Sequence, residues 1–334
     1  MHWPRQPTTS QKAAKNNRNL ADLNQKPPVK RGLFFYAASE VEWPLLGVGQ
    51  TAECRISQSK IQLIGLCRFS YPSDAAAFRL GQDTLEGVRR VLYDPARLAQ
   101  RFFYFEHVSL PALRAQTSKD FEVLVLTGDQ IPKPFRDKLD ALIADIPQIR
   151  CVAIDEGLPH AEACHEVMMA LRDPSADMVA EFRMDDDDAV AIDFVAEAHA
   201  NLQAQMPLFG QRDKLCLDFT RGYLLAFEQS GIRAALMQQR MWTPAQIFCR
   251  RAEDPASLLS ANHLSAWQNM PTIGHPTNIM YVRTAHETND SDLLGRKGFQ
   301  DRLAPLDDRT KFRLQRRFGI DSDRLMSEWA GLCA

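Results

Sequence analysis

The sequence has no C-x-x-C pair, and it has no apolar stretch near the roughly 20 residues that cross a membrane. Its seven cysteines are an odd number, and Cys67, Cys151 and Cys216 lie in apolar runs, where cysteine acts as a small buried hydrophobe. These absences argue against a disulfide framework, a zinc ribbon and a membrane-spanning protein. A reducing, cytoplasmic compartment is therefore expected.

The chain also lacks a strong net charge, which is −2 over 334 residues. Residues 1–31 carry seven basic residues and one acidic residue, whereas the rest of the chain has 33 basic and 41 acidic residues. Residues 1–58 show no periodic apolar pattern and are predicted to form a basic, disordered leader and linker. Such a leader favours peripheral membrane association at most, and we expect no nucleic-acid partner.

Four apolar runs of strand length alternate with amphipathic helical patterns after the leader. The predicted strands are 61–66, 121–126, 149–154 and 178–184. Strands that alternate with helices predict βαβ units and a parallel, Rossmann-type sheet. Beyond residue 205, shorter apolar runs predict a mixed or antiparallel continuation. The expected fold class is therefore α/β, in one domain over residues 59–334.

The most informative motif is an acidic run, Asp185 to Asp188, directly after the fourth predicted strand. Ligands of open α/β sheets bind at the carboxyl ends of strands. A close pair of carboxylates costs about 2–3 kcal/mol at an effective dielectric constant of about 20, and a divalent cation removes that penalty. Asp185 and Asp187 share one side of an extended chain, so together they could hold Mg²⁺ or Mn²⁺. The alternative is a solvated acidic turn that caps the following helix.

Several stretches, in order, resemble the bacterial "putative rhamnosyltransferase" family of GT-A-type glycosyltransferases. They are IGLCRFSYP (64–72), FEHVSLPALRAQTSKDFEVLVLTGD (105–129), FRMDDDDAVAIDFV (182–195) and RTAHETND (283–290). The resemblance covers about residues 60–330 and implies a GT-A-like nucleotide-binding sheet. It implies a metal-dependent enzyme that moves a sugar, rhamnose by the family label, from a nucleotide-diphospho sugar. The acceptor would be a glycan, a lipid-linked sugar or another cytosolic molecule.

The resemblance also implies a metal site in the acidic run. Asp185 and Asp187 would hold Mn²⁺ or Mg²⁺ bound to the donor diphosphate, and Asp188 would support them. A late histidine often completes such a site, which makes His286 the candidate here. A surface or capping role is the alternative for His286.

Four residues are candidates for contacts with the donor or the acceptor. Arg68 and Arg183 could each bind phosphate, and a solvated or ion-paired side chain is an equal alternative for them. Asp129 could contact the nucleoside, although a turn residue after Gly128 is the favoured interpretation. Asp254 resembles the base of some inverting GT-A enzymes, which takes the acceptor's proton. A helix cap is the favoured alternative for Asp254.

Two other functions fit parts of the sequence. Residues 186–190 satisfy D-x-D-x-[TV], the motif of haloacid-dehalogenase-like phosphohydrolases, in which Asp186 would attack phosphorus with Mg²⁺ present. That motif usually follows the first strand of its domain, whereas here it follows the fourth. In the glycosyltransferase interpretation, Asp186 instead faces away from Asp185 and Asp187. The second alternative is a non-catalytic binding module.

Overall fold

The computed structural model of the protein describes residues 59–74, 84–260, 262–289 and 293–333. The predicted leader and linker over residues 1–58 lies outside the described residues. Within the described part of the chain, no helix is both long and apolar enough to cross a membrane.

The strands belong to two sheets. In chain order they are β1 (Ile61–Arg68), β2 (Glu122–Gly128), β3 (Ile149–Ile154), β4 (Met178–Asp185), β5 (Ala189–Val190), β6 (Lys214–Phe219), β7 (Arg221–Glu228), β8 (Gly231–Gln238), β9 (Gln246–Arg250), β10 (Thr272–His275), β11 (Tyr281–Ala285) and β12 (Ala304–Pro305).

Helices occupy the connections and the carboxyl-terminal end of the chain. They are α1 (Leu85–Leu92), α2 (Pro95–Tyr104), α3 (Leu110–Arg114), α4 (Lys133–Ile143), α5 (His160–Ala170), α6 (Phe194–Ala204), α7 (Met206–Arg212), α8 (Lys297–Gln300), α9 (Asp308–Phe318) and α10 (Ser322–Cys333). A π-helical turn, Phe105–Ser109, joins α2 to α3.

The larger sheet has seven strands in the order β10-β6-β9-β4-β1-β2-β3. The four predicted strands β1 to β4 are parallel neighbours, which confirms the Rossmann-type prediction. β9 runs antiparallel to both β4 and β6, and β10 runs parallel to β6. The expected mixed continuation is therefore confirmed, and the fold class is α/β.

The second sheet has five strands in the order β12-β8-β7-β11-β5. Val190, Phe194, Ala198 and Leu202 recur at helical spacing in the sequence, which predicts a helix from Val190 onward. The short strand β5 corrects this prediction. Val190 instead pairs antiparallel with Tyr281, and α6 starts only at Phe194. This pairing brings β11 alongside the end of the acidic run.

The two faces of β4 bury different side chains. Ala180, Phe182 and Met184 belong to the largest apolar core cluster, which also contains residues of α4 and α6. Val179, on the other face, packs in a second core cluster with residues of α5. Because side chains alternate along a strand, Arg183 and Asp185 point toward this second face.

Candidate active site

The acidic run begins at the end of β4 and turns immediately into β5. The backbone N–H of Asp188 donates to the carbonyl of Asp185 at 3.1 Å, which closes the turn. Asp186, Asp187 and Asp188 are only 1–2% exposed. The run is buried, so the alternative of a solvated acidic turn is wrong. Burying unpaired carboxylates carries a large free-energy cost, so these side chains need partners.

Three of the four carboxylates converge. Asp185, Asp187 and Asp188 each place one oxygen within 4.8 Å of the others. The Oδ1 atom of Asp188 accepts the backbone N–H of Thr284 at 3.1 Å, while its buried Oδ2 atom has no hydrogen-bond partner among the described residues. A buried oxygen without a donor, in a set of three carboxylates, fits a hard divalent cation such as Mg²⁺ or Mn²⁺.

The pKa values of the three carboxyl groups are shifted in different directions. Burial raises the pKa of Asp188 well above its usual value, and the charge of Asp187 adds to this. Burial also opposes ionisation of Asp185, but Arg68 and Arg183 hold its pKa below the usual value. Asp187 is held ionised in the same way by Arg101 and His286, which keep its pKa low despite burial.

His286 reaches the acidic run from the loop after β11. Its Nε2 atom lies 2.7 Å from Oδ2 of Asp187, and its Nδ1 atom lies 2.8 Å from the hydroxyl of Thr288. The ring stacks on Tyr104 with centroids 4.4 Å apart. Both ring nitrogens thus have partners in the structure, and the role of His286 as a metal ligand stays a prediction. In the structure, His286 holds Asp187 in place.

Asn289 strengthens the same contact, because its side-chain amide donates to Oδ2 of Asp187 at 2.9 Å. Its own Oδ1 accepts the backbone N–H of His286 at 2.6 Å. The loop from His286 to Asn289 therefore holds Asp187 through two side chains.

Arg101 of α2 is a site residue that the sequence analysis does not identify. Its guanidinium pairs with both carboxylate oxygens of Asp186 (Nε to Oδ2, 2.9 Å) and reaches Oδ2 of Asp187 at 3.3 Å. The carboxylate of Asp186 is therefore engaged by a buried cation. This side chain is also only 1% exposed, so it is not accessible for attack on phosphorus, which argues against the phosphohydrolase alternative.

Arg68 lies at the end of β1, where it donates to Oδ1 of Asp185 at 2.8 Å. Its other terminal nitrogen is 3.4 Å from the ring of His160, the first residue of α5. Burial, together with the charge of Arg68, lowers the pKa of His160 to about 4, so the ring is neutral near pH 7. Arg68 thus reaches the acidic run as an ion-pair partner.

A third arginine, Arg283 of β11, approaches the acidic run. Its Nη1 atom lies 4.0 Å from Oδ2 of Asp188 and donates to the carbonyl and hydroxyl of Thr243 at 3.1 and 2.9 Å. The guanidinium also stacks over Trp242.

The remaining predicted residues lie elsewhere. Asp129 is exposed after β2, and its backbone N–H donates to the carbonyl of Ile154, which matches a turn residue. Arg250, at the end of β9, pairs with Val179 near the amino end of β4. Asp254 follows Arg250 and therefore lies beyond that end of β4, about 20 Å along the strand from Asp185. The carboxylate of Asp254 accepts from Arg250 and from the backbone of Ala256. The structure does not bring Asp254 to the acidic run, so its role as a base has no geometric support.

A family model described as "Putative rhamnosyl transferase" matches residues 62–298 of the chain. No curated protein matches at a significant level. Among solved structures, S. aureus TarS 1–349 is 12% identical, with a TM-score of 0.37, over 67% of this chain and 60% of that chain. The same fragment with UDP-GlcNAc is 10% identical, with a TM-score of 0.38, over 81% of this chain and 72% of that one. A putative nucleotide-diphospho-sugar transferase from Desulfovibrio desulfuricans G20 is 10% identical, with a TM-score of 0.33, over 81% and 98% of the two chains.

Proposed function

The chain belongs to the "Putative rhamnosyl transferase" family, whose model covers most of its length, and we propose that it is a metal-dependent glycosyltransferase. The donor is a nucleotide-diphospho sugar, with rhamnose as the transferred sugar. The acceptor is a glycan or a lipid-linked sugar, and the reaction takes place in the cytoplasm.

The observation that carries this proposal is the set of three convergent carboxylates, one of whose buried oxygens accepts no hydrogen bond from the described residues. Asp185, Asp187 and Asp188 would hold Mn²⁺ or Mg²⁺. A bound cation would stabilise the negative charge that develops on the leaving diphosphate. His286 and Asn289 keep Asp187 oriented, so that the carboxylates need little rearrangement.

The charges around the acidic run support a diphosphate ligand. Four aspartates and four arginines lie in or beside the run, and their formal charges cancel. They are Asp185, Asp186, Asp187 and Asp188, with Arg68, Arg101, Arg183 and Arg283. A divalent cation would leave a charge of about +2, which the two negative charges of a diphosphate ester balance.

In this proposal, two arginines contact the donor phosphates. Arg68 lies at the carboxyl end of β1, at the sheet edge where nucleotides bind in open α/β folds. Arg183 lies on β4, two residues before Asp185 on the same face. A bidentate guanidinium suits the geometry of phosphate oxygens.

The proposal is tested with Asp188→Asn, which removes the charge and keeps the shape of the side chain. Binding of dTDP and UDP is measured by calorimetry with Mn²⁺ and with EDTA. We expect wild type to bind a nucleoside diphosphate only with Mn²⁺, and the variant to lose tenfold or more of that affinity.

The matched control is Asp254→Asn, which removes a carboxylate at the other end of β4 and should leave nucleotide binding unchanged. Equal binding with Mn²⁺ and EDTA, or an Asp188→Asn protein that binds like wild type, would refute the proposed metal site.

A further inference from the structure

Arg283 approaches the acidic run without forming a hydrogen bond to Asp188. Its Nη1 atom lies 4.0 Å from Oδ2 of Asp188, which is beyond hydrogen-bond distance. The two side chains are only 17% and 3% exposed, and Oδ2 of Asp188 accepts no hydrogen bond from the described residues. A guanidinium and a carboxylate that lie this close and this deep normally form a charge-assisted hydrogen bond. A restraint therefore keeps them apart.

The restraint is Thr243, in the turn that connects β8 to β9. Nη1 of Arg283 donates to the backbone carbonyl of Thr243 at 3.1 Å and to its hydroxyl at 2.9 Å. A guanidinium Nη atom carries two hydrogens, and these two bonds use both of them. Nη1 therefore has no hydrogen left to donate to Asp188.

The same turn fixes the plane of the guanidinium through Trp242. The guanidinium lies over the Trp242 ring, 5.7 Å from its centroid, where a cation is attracted by the face of the ring. The Trp242 ring in turn packs on Tyr281 and Phe299, with centroids 6.1 and 5.5 Å apart. The ring therefore limits how far Arg283 can move.

Asp218 of β6 anchors this turn to the larger sheet. Its Oδ2 atom accepts the backbone N–H of Met241 at 3.0 Å. Met241 has a φ of +59°, in the left-handed region that a residue other than glycine adopts only at a free-energy cost. The side-chain amide of Gln246 also contacts the sulfur of Met241 at 3.0 Å. The position of Thr243 is therefore set by contacts outside the acidic run.

The acidic run attracts the restrained guanidinium. Burial opposes the charge of Arg283, but the charges of Asp188, Asp185 and Asp187 outweigh burial and raise the pKa of Arg283 above its usual value. A hydrogen bond of ordinary length would need Nη1 to move only about 1 Å closer to Oδ2 of Asp188. Such a movement becomes favourable once Nη1 has a hydrogen to donate.

We propose that Thr243 is a positioning residue, which holds Arg283 away from Asp188 and so keeps Oδ2 of Asp188 available to a divalent cation. Without Thr243, Arg283 closes onto this oxygen and takes the place of the cation as an internal counter-ion. The inference rests on the proposed metal site and adds to it the residue that keeps the site open.

The experiment uses Thr243→Val, which removes the hydroxyl, keeps a similar shape and frees one hydrogen of Nη1. Thr220→Val is the matched control. Thr220 and Thr243 are both 4% exposed, but the hydroxyl of Thr220 accepts from the side chain of Gln238, at 2.6 Å. Arg283→Met, alone and combined with Thr243→Val, completes a double-mutant cycle.

Two measurements are made on the full-length proteins, after circular dichroism has verified the fold of each variant. Calorimetry measures the affinity for Mn²⁺ in the absence of nucleotide. Crystal structures of wild type and Thr243→Val without metal show the distance between Nη1 of Arg283 and Oδ2 of Asp188.

We expect Thr243→Val to weaken Mn²⁺ binding about tenfold or more, because the cation must displace a charge-assisted hydrogen bond. Thr220→Val should stay within about twofold of wild type. Arg283→Met should bind Mn²⁺ at least as tightly as wild type, and adding Thr243→Val to it should change the affinity less than about twofold, since no guanidinium remains to close. In metal-free Thr243→Val, Nη1 of Arg283 should lie about 2.9 Å from Oδ2 of Asp188.

The inference is refuted if Thr243→Val binds Mn²⁺ like Thr220→Val. It is also refuted if Thr243→Val weakens Mn²⁺ binding equally with and without Arg283, which is the result that a purely structural role of Thr243 would give. Wild type tests the proposed function separately. If wild type binds no Mn²⁺, the proposed metal site fails, whereas the metal-free crystal structures still decide whether Thr243 holds Arg283 away from Asp188.

Discussion

Replacing Arg101 with methionine should remove about 3–5 kcal/mol of folding stability when no metal is present. Arg101 is 8% exposed, and it is the cation that holds Asp186 and contacts Asp187. Methionine keeps much of the side-chain volume but leaves two buried carboxylates without this partner. For a domain of this size the loss corresponds to a fall in Tm of roughly 6–20 °C.

The assay is thermal and urea unfolding in EDTA and in Mn²⁺. Manganese should recover more stability in Arg101→Met than in wild type, since the cation takes over part of the missing charge. Arg114→Met is the control, because Arg114 pairs with Asp145 on the surface and should contribute at most about 1 kcal/mol. The prediction is refuted if Arg101→Met and Arg114→Met lose the same amount of folding stability. It is also refuted if Mn²⁺ stabilises Arg101→Met and wild type equally.

Two further predictions concern stability. Burial raises the pKa of Asp218 to about 6, so its protonated form stabilises the fold below about pH 4 and this contribution is lost as the pH rises through 6. Asp218→Asn should therefore reduce the fall in Tm between pH 5 and pH 7.5, and calorimetric scans that show equal falls would contradict this. Gly65→Ala should cost about 1–3 kcal/mol in urea unfolding, because a Cβ would lie 2.5 Å from the ring of Phe182. Gly210→Ala, in a helix with open space around it, should be neutral or slightly stabilising, and similar effects of the two substitutions would show that the close approach at Gly65 is tolerated.

The parallel half of the fold could be predicted because its signals are local. Strands β1, β2 and β4 are largely buried on both faces, whereas β3 is a partly exposed edge strand, but each of the four is a short apolar run that the sequence shows directly. The strand at Val190 could not be predicted, because its pairing with Tyr281 depends on a residue 91 positions later. A local pattern carries no information about such a partner.

The acidic residues of the site could also be predicted, since carboxylates at a strand end are visible in the sequence. The role of Arg101 could not be predicted, because a basic residue on an amphipathic helix normally faces solvent. Its inward direction is set by a partner 85 positions away. The resemblance predicts a base at Asp254, but the position of this residue in the fold depends on β9 running antiparallel to β4, which no local signal specifies.

The contact between Asp187 and His286 also determines when the site can form during protein synthesis. The histidine is synthesised after the acidic run, because 99 positions separate the two residues. At a ribosomal rate of about 5–20 residues per second, roughly 5–20 s pass between the synthesis of the acidic run and that of its histidine. A nascent or truncated chain that ends before β11 lacks Thr284, His286 and Asn289, and so it cannot form the arrangement that orients the carboxylates. If the proposed function holds, competence for nucleotide binding should therefore appear only after the chain has been synthesised as far as Asn289.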